Sequence, residues 1–249
     1  MGVLSLEPVS LRALLADSPR SLAALSREHR DGWGVAWTED GRWTVRKGTA
    51  CAAECASFLG AATDARSALA IAHVRKKTVG PLALANTHPF RRGQWILAHN
   101  GTLEDVPAVT ALCSAARLAE IEGDTDSERL FALLMTSIDA FGDVARGLED
   151  AIARLRSLAR AGTASFLLSD GERLWAHRSG RELFLLDRTA GAGRRTPSIA
   201  IASERLTDER WCPIEEGGLL VVRPSSASSG ARIIEVANAS SRGRARRVA

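Results

Sequence analysis

The pattern of apolar and polar positions divides the chain into four parts. Residues 8–29 carry leucines at helical spacing around a Ser-Pro pair, which predicts two short helices. Residues 33–101 contain runs of β-branched, aromatic and small apolar residues separated by turn residues, which predict strands. Residues 102–160 show helical spacing again, and residues 163–236 alternate with a period of two. Helices grouped between two sets of antiparallel strands predict one layered α+β domain.

Two of the predicted strands end in polar residues. Residues 69–74 form a strand that runs directly into Arg75, and residues 94–98 form another that ends in His-Asn-Gly at 99–101. Arginine is almost never buried without a partner, while Asn and Gly supply amide donors and backbone conformations that ordinary strand residues do not. Adjacent strands that end in polar groups can form a site. These residues alone equally allow a surface salt bridge at Arg75 and a hairpin turn at the Asn-Gly pair.

The predicted helices contain two further candidates for chemistry, and each has a simpler explanation. Cys51 and Cys55 would face one side of a helix predicted at 51–59, but two thiols are too few for a zinc site, so core packing is favoured. The segment Gly123–Glu128 places acidic residues at the positive end of the helix that follows. Asp126 in this segment fits an N-cap, and the sequence alone favours that structural role.

The composition is that of an ordinary globular protein, with 45% hydrophobic and 25% charged residues. No apolar run approaches the roughly 18 residues that a membrane helix needs, so a soluble protein without membrane association is expected. The N-terminus lacks a basic segment followed by a long apolar one, so no signal peptide is visible. The four cysteines are then best explained as reduced thiols, and a cytoplasmic location is predicted.

The basic excess of the chain lies at its C-terminal end. The formal net charge is +4 and the pI about 9.2, yet residues 241–249 contain four arginines and no acid, which leaves a net charge of zero for the rest. A duplex-binding domain carries its basic excess on the folded surface, so no nucleic-acid partner is expected. We predict a single domain at residues 1–237 and a basic, disordered tail at 238–249.

Six polar motifs, taken together and in order, resemble the class II glutamine amidotransferases, which are N-terminal-nucleophile hydrolases. The motifs are His29–Gly34, Ala72–Arg75, Asn86–Phe90, Ala98–Gly101, Gly123–Glu128 and Ala202–Leu206. The resemblance covers about residues 3 to 224 and is strongest to small stand-alone members, the YafJ-type proteins and the γ-glutamyl amide hydrolases. It implies a four-layer αββα sandwich of two antiparallel sheets flanked by helices.

The resemblance also implies a role for each matching residue. Arg75 corresponds to the arginine that holds the α-carboxylate of glutamine, and a planar guanidinium can bond both oxygens of a carboxylate. Asp126 corresponds to the acid that receives the α-ammonium, and His88 to part of the same pocket wall. Asn100 and Gly101 correspond to the oxyanion hole, with a side-chain amide and a backbone N–H. The resemblance implies no metal and no cofactor.

One departure from the family pattern concerns the nucleophile. In the family an N-terminal cysteine attacks the amide and its own α-amine is the general base, whereas this chain has Gly2 at that place. One interpretation is that the chain as written begins a few residues late, and the other is that the nucleophile has been lost. Retention of Arg75, Asn100, Gly101 and Asp126 favours the first. The chain as written is predicted to be inactive.

The leading functional hypothesis is hydrolysis of glutamine or another γ-glutamyl amide through a thioester. Because no synthase domain follows, ammonia would either pass to a separate synthase or be released, and the sequence does not choose between these outcomes. The alternative hypothesis is a non-catalytic glutamine-binding pseudoenzyme or regulatory subunit that lacks the nucleophile.

Overall fold

Two antiparallel sheets stack face to face, and helices cover both outer faces, in a computed structural model that describes residues 1–189, 196–226 and 232–239. In spatial order, the seven-stranded first sheet contains β11 (Trp211–Pro213), β9 (Phe184–Asp187), β10 (Ser198–Ala202), β1 (Gly2–Ser10), β4 (Arg66–Val74), β2 (Trp33–Glu39) and β3 (Arg42–Gly48). The six-stranded second sheet contains β13 (Arg232–Asn238), β12 (Leu219–Ser226), β8 (Leu174–His177), β7 (Thr163–Ser169), β6 (Trp95–Thr102) and β5 (Phe90–Arg92).

The helices form the two outer layers. On the first sheet lie α1 (Leu22–Leu25) and α2 (Ala56–Asp64), and on the second lie α3 (Val106–Ala111), α4 (Ala115–Leu118), α5 (Asp126–Phe141) and α6 (Val144–Arg156). Shorter turns are π-helical at Ala13–Asp17 and 3-10 at Ala52–Glu54 and Leu84–Asn86. This arrangement confirms the predicted α+β fold and its four αββα layers. Within the described residues, no helix is long and apolar enough to cross a membrane.

Alternation along β4 and β6 decides which side chains enter the space between the sheets. In β4, Leu69 and Ile71 pack between the sheets while their neighbours pack toward α1 and α2, and His73 continues the inward series. In β6, Ile96 and Ala98 pack between the sheets in the same way. Their series continues to Asn100, so the ends of these two strands direct polar side chains into the same layer.

Three sequence predictions differ from the structure in detail. The predicted helix at 51–59 is wrong, because Cys55 has an extended backbone (φ −109, ψ 111) that separates a 3-10 turn from α2, which begins at Ala56. Cys51 instead donates from Sγ to the Ser26 carbonyl oxygen at 3.3 Å. The predicted strand at 94–98 continues to Thr102, and the helical part predicted for residues 102–160 begins only with α3 at Val106. The predicted tail lies outside the described residues from position 240 onward.

Candidate active site

Arg75 directly follows β4 and is only 4% exposed. Its guanidinium donates from Nη2 to the Val79 carbonyl at 2.8 Å and from Nη1 to the Pro81 carbonyl at 3.2 Å. Burial lowers the pKa of Arg75, and the charge of Asp31 opposes this shift. Arg75 is therefore not a surface salt-bridge residue. Carbonyl oxygens satisfy its N–H groups without cancelling its charge, so the group remains a cation suited to an incoming carboxylate.

Asn100 and Gly101 lie within β6 rather than in a hairpin turn, so the turn interpretation is wrong. They pair with Ser165 and Ala164 of β7. A side chain at Gly101 would collide with the Thr163 carbonyl and would bring its Cβ within 2.6 Å of His99 Nε2. Only a residue without a side chain therefore fits at this position. Close packing of this kind holds the main chain in one position.

Asp126 is the first residue of α5 and is 4% exposed. The N-cap is Thr125, whose Oγ1 accepts a hydrogen bond from the Glu128 N–H at 3.4 Å, so the N-cap interpretation of Asp126 is wrong. Asp126 Oδ2 accepts instead from the Leu103 N–H at 2.8 Å. Because Leu103 directly follows β6, this bond joins the start of α5 to the strand that carries Asn100.

Asn86 links the Arg75 loop to the segment before α5. Its Nδ2 donates to the Pro81 carbonyl at 3.2 Å, the same oxygen that Arg75 uses, and its Oδ1 accepts from the Asp124 N–H at 2.8 Å. The side chain is fully satisfied on both sides and is 1% exposed. A chain of hydrogen bonds therefore runs from Arg75 through Asn86 to the residue two positions before Asp126.

His88 lies in a stack of buried aromatic rings. Its ring centroid is 4.4 Å from that of His73 and 4.5 Å from that of Phe90. Both ring nitrogens of His88 and Nδ1 of His73 are buried without a hydrogen-bond partner in the described part of the chain. Burial lowers the pKa of His73 to about 3 and holds the pKa of His88 well below its usual range. Both imidazoles are therefore neutral at neutral pH.

His99, also in β6, bonds to α5 and β7 next to the same region. Its Nε2 lies 3.2 Å from the Thr163 carbonyl and its Nδ1 lies 2.8 Å from Ser127 Oγ. A carbonyl only accepts, so Nε2 carries the proton and Nδ1 accepts from the Ser127 hydroxyl. These bonds tie β6, β7 and α5 together behind Asn100. Among the described residues, no group of three or more His, Cys, Asp and Glu side chains is arranged to hold a metal ion.

The neutral histidines make the fold sensitive to acid. His73 binds a proton more readily when unfolded (ordinary pKa 6.5) than when folded (pKa about 3), so its stability contribution is complete above pH 6.5 and is lost as the pH falls toward 3. One such group costs about 1.4 kcal/mol per pH unit in that window, or about 2 kcal/mol at pH ~5. We expect the free energy of unfolding in urea to fall accordingly between pH ~7 and ~5, and to fall less steeply in His73→Asn. Equal slopes in the two proteins would contradict this account.

The amino group of Met1 is buried beside this stack. It donates to the Ala72 carbonyl at 2.6 Å, and burial lowers its pKa from 8.0 to about 5. Its charge also lowers the pKa of His73, which shows that the two groups are neighbours. The N-terminal end of β1 therefore lies close to the end of β4.

Two surface grooves among the described residues differ in their relation to the candidate site. The larger has a volume of about 650 Å³ and lies where the edge strands β3 and β5 face each other, with Lys47 and Phe90 in its wall. The smaller, about 510 Å³, lies beside Leu4 and Arg223, and none of the candidate site residues lines it.

Hydrogen bonds link Arg75 through Asn86 to Asp124, and Asp126 to Leu103 after the strand that carries Asn100 and Gly101. The ring centroid of His88 lies 6.4 Å from that of His99 in the same strand. The family model of the class II glutamine amidotransferases matches residues 18–197. This chain belongs to that family. A γ-glutamyl-hercynylcysteine sulfoxide hydrolase of Mycobacterium tuberculosis is 30% identical over 235 residues, covering 86% of this chain and 88% of that protein. An uncharacterized protein of Methanocaldococcus jannaschii is 30% identical over 238 residues; the match covers 80% of this chain but only 62% of that relative's length.

Solved structures show the same fold. A glutamine aminotransferase class-II domain protein from Silicibacter pomeroyi superposes with a TM-score of 0.64 at 21% identity, over 95% of this chain and 97% of that one. At this level of identity the similarity concerns the fold alone.

Sequence reasoning about this amidotransferase domain missed three residues of the site. Asn86 and His73 stand inside the motifs but were given no role, and Ser127 follows Asp126 directly. Period-two spacing offered one signal, because His73 stands two positions before Arg75 on a strand. Nothing in the local pattern indicated that Asn86 joins two distant loops.

Proposed function

We propose that this chain binds the free amino-acid head group of glutamine or another γ-glutamyl amide, and that its site hydrolyses the amide through a thioester when a cysteine begins the first strand. The hydrogen-bond chain from Arg75 through Asn86 toward Asp126 carries this proposal. It holds the Arg75 guanidinium, which suits an α-carboxylate, in a fixed position relative to the segment of Asp126, whose carboxylate suits an α-ammonium. The printed name of the mycobacterial relative, a γ-glutamyl hydrolase, supports the same substrate class.

In the proposed complex, the α-carboxylate of the substrate binds the Arg75 guanidinium and its α-ammonium binds Asp126. The pairing is selective because a free amino acid carries both charges on one carbon, whereas no residue of a linear peptide does. Asp126 keeps one carboxylate oxygen bound to the Leu103 N–H, which leaves the other for the ammonium. His88, neutral and buried, forms part of the pocket wall.

The register of β1 supports a specific place for the nucleophile. Gly2 lies opposite Ile71 of β4 in an antiparallel pair, so a residue three positions ahead of Met1 would lie opposite Arg75 when the pairing is continued. Like Leu4, that residue would face the space between the sheets, which the side chain of Asn100 also enters. A cysteine there would present its thiol and its α-amine at the end of the sheet. An α-amine exposed to solvent titrates near ~7.7 to 8, so part of it is neutral at cellular pH and accepts the thiol proton.

The reaction then proceeds in two balanced steps. The cysteine sulfur bonds to the γ-carbonyl carbon, and the oxygen becomes an oxyanion held by the Asn100 amide and the Gly101 N–H. The C–N bond breaks, and the amine leaves with the proton that the α-amine had taken. Water next adds to the thioester carbon, the C–S bond breaks, and glutamate and the thiol are released. We propose a cytoplasmic enzyme that releases its amine or passes ammonia to a separate synthase.

A second candidate function is glutamine binding without hydrolysis. It is favoured by the state of Met1, whose amine is already buried against the Ala72 carbonyl and is not available as a base at the candidate site. In that case the chain would act as a glutamine-binding regulatory subunit, and binding without turnover would persist whatever residues precede Met1.

Replacing Arg75 tests the head-group site. We expect Arg75→Lys to raise the dissociation constant for glutamine, measured by calorimetry on the chain as printed, by roughly tenfold, about 1.4 kcal/mol. A lysine ammonium is a point charge that cannot bond both carboxylate oxygens and keep both loop carbonyls. Arg46→Lys is the matched control, since Arg46 forms a surface ion pair with Asp64 and is 45% exposed. An unchanged constant in Arg75→Lys would remove Arg75 from the site.

A further inference from the structure

The larger groove, called here the Lys47 groove, lies beside the candidate active site and reaches it along three walls. Leu84 belongs to the loop whose Pro81 carbonyl binds Arg75. Phe90 meets His88 edge to face, with ring centroids 4.5 Å apart. Glu122 lies in the segment that leads into α5 and Asp126. A ligand in this groove would therefore contact residues next to those that hold Arg75, His88 and Asp126.

Two cations of the groove have no acid in ion-pair contact among the described residues. Arg92 is neutralised, because it pairs with Glu128 at 2.5 Å and with Glu122 at 3.8 Å. In the part of the chain that the structure describes, Arg91 donates to the carbonyl oxygens of Gly93 and Trp43, which carry no charge. The positive charges of Arg91 and Lys47 are therefore left without a directly paired carboxylate there.

Of these two cations, Lys47 is the stronger candidate for binding an anion. Its ammonium nitrogen lies 5.3 Å from the centroid of the Phe90 ring, and within the described ranges it has no hydrogen-bond or ion-pair partner. Burial lowers the pKa of Lys47 to about 8, and Glu122 and Glu128 only partly oppose this shift. A half-buried ammonium with no carboxylate in contact is costly, and an anion placed beside it would relieve that cost.

The remaining wall of the groove is apolar. Val45, Leu84 and Phe90 line it, and Leu84 is 55% exposed. With a volume of about 650 Å³, the groove has room for a small organic molecule rather than a bare ion.

We propose that the Lys47 groove binds an anionic group, a carboxylate or phosphate, carried on a small apolar body, with Lys47 as the principal contact. Two kinds of molecule carry such an anionic group. The anion is either the acidic amine half of a γ-glutamyl amide, which rests on the proposed function, or a separate small acid that binds beside the active site.

Phenyl phosphate tests the proposal, with phenol as its neutral counterpart, in calorimetry on the chain as printed. We expect phenyl phosphate to bind and phenol not to bind, and Lys47→Met to weaken binding at least tenfold while preserving the stem that packs on Phe90. The exposed Lys76→Met is the matched control and should bind as the parent chain does. Failure of phenyl phosphate to bind in the millimolar range, or equal binding by Lys47→Met, would overturn the proposal.

Chemical labelling supplies a readout that does not depend on a variant. The chain has three lysines, Lys47, Lys76 and Lys77, so trinitrobenzenesulfonate labelling followed by mass spectrometry reports on each separately. At a pH near its lowered pKa, Lys47 should retain labelling despite its partial burial, and phenyl phosphate should slow the labelling of Lys47 alone. Equal protection of all three lysines, or none, would contradict a site at Lys47.

Two γ-glutamyl compounds then distinguish the sources. If the substrate supplies the anion, Lys47→Met weakens binding of γ-glutamylglutamate but not of the neutral γ-glutamyl ethylamide, and phenyl phosphate competes with the former. If a separate acid supplies it, Lys47→Met leaves both amides unaffected and phenyl phosphate binds together with them. Should neither amide bind while phenyl phosphate does, the proposed function fails and the groove proposal stands.

Discussion

A chain extended by Cys-Arg-Leu ahead of Met1, with the cysteine as its free N-terminus, is expected to hydrolyse glutamine, whereas the chain as printed shows no turnover. The register between β1 and β4, continued by one pair, puts that cysteine opposite Arg75, on the face of β1 that Leu4 presents to the space between the sheets. Cysteine placed two or four positions ahead of Met1 should be much less active, because a shift of one residue turns the side chain to the other face of the sheet, where Met1 and Val3 pack toward the helices. Release of glutamate in a coupled assay measures all four proteins. Turnover by the printed chain would refute the proposed mechanism.

An Ala-Arg-Leu extension is the control for this experiment and has an effect of its own. Extension converts the buried Met1 amine, with its pKa lowered from 8.0 to about 5, into an uncharged peptide N–H that still reaches the Ala72 carbonyl. The amine binds a proton more readily when unfolded, so it costs about 1.4 kcal/mol of stability at pH ~7, and both extensions should recover that amount. If the Ala-Arg-Leu chain gains stability but hydrolyses nothing, activity in the Cys-Arg-Leu chain comes from the thiol and not from repair of the fold.

Asn100→Asp in the active, extended chain is expected to lower kcat by roughly 10²- to 10³-fold with little change in KM. The substitution keeps the shape of the side chain but replaces its N–H donor with an acceptor that repels the developing oxyanion. Asn100 is half-buried and continues the series of Ile96 and Ala98, which point between the sheets. Because Asp and Asn have the same size, the substitution creates no cavity there. Steady-state kinetics with glutamine measure the effect, and thermal unfolding shows whether the fold is retained.

Asn100→Ala completes that test. It removes the donor without adding charge, and should lose about the 2.7 to 4 kcal/mol typical of one oxyanion-hole donor. If both variants keep kcat within a few-fold of the parent, Asn100 does not stabilise the transition state and the Gly101 N–H would have to act alone.

The sequence predicted the layers of this fold better than it predicted the ends of the elements. Period-two alternation in residues 163–236 and helical spacing around α5 and α6 reflect burial of one face, which is written locally in the chain. The three-residue strands β5 and β11 went unnoticed, because segments so short show no period of their own. They are strands only because β6 and β9 lie beside them.

Cys51 and Asp126 show why the predicted details were wrong. The spacing of Cys51 and Cys55 suits a helix, but bonds between Cys51 and Ser26, 25 residues earlier, replace the first turn. Asp126 is a good N-cap residue by type, yet Thr125 takes that place and frees the carboxylate to reach Leu103. In both cases a partner distant in the chain outweighed a local preference.

By itself, the sequence determined a layered α+β class, because burial of one face is written locally in the chain. Its motif order, through the resemblance to the amidotransferases, indicated the family, the four layers and the five candidate residues Arg75, His88, Asn100, Gly101 and Asp126. Only the tertiary structure decided that Asn86 joins two loops, that His73 and His88 lie ring against ring with nitrogens unpaired among the described residues, and that Lys47 lines a groove with no described carboxylate in contact with it. Hydrogen bonds, burial and electrostatic balance depend on which distant segments meet. That information is created when the two sheets pack, and no spacing along the chain contains it.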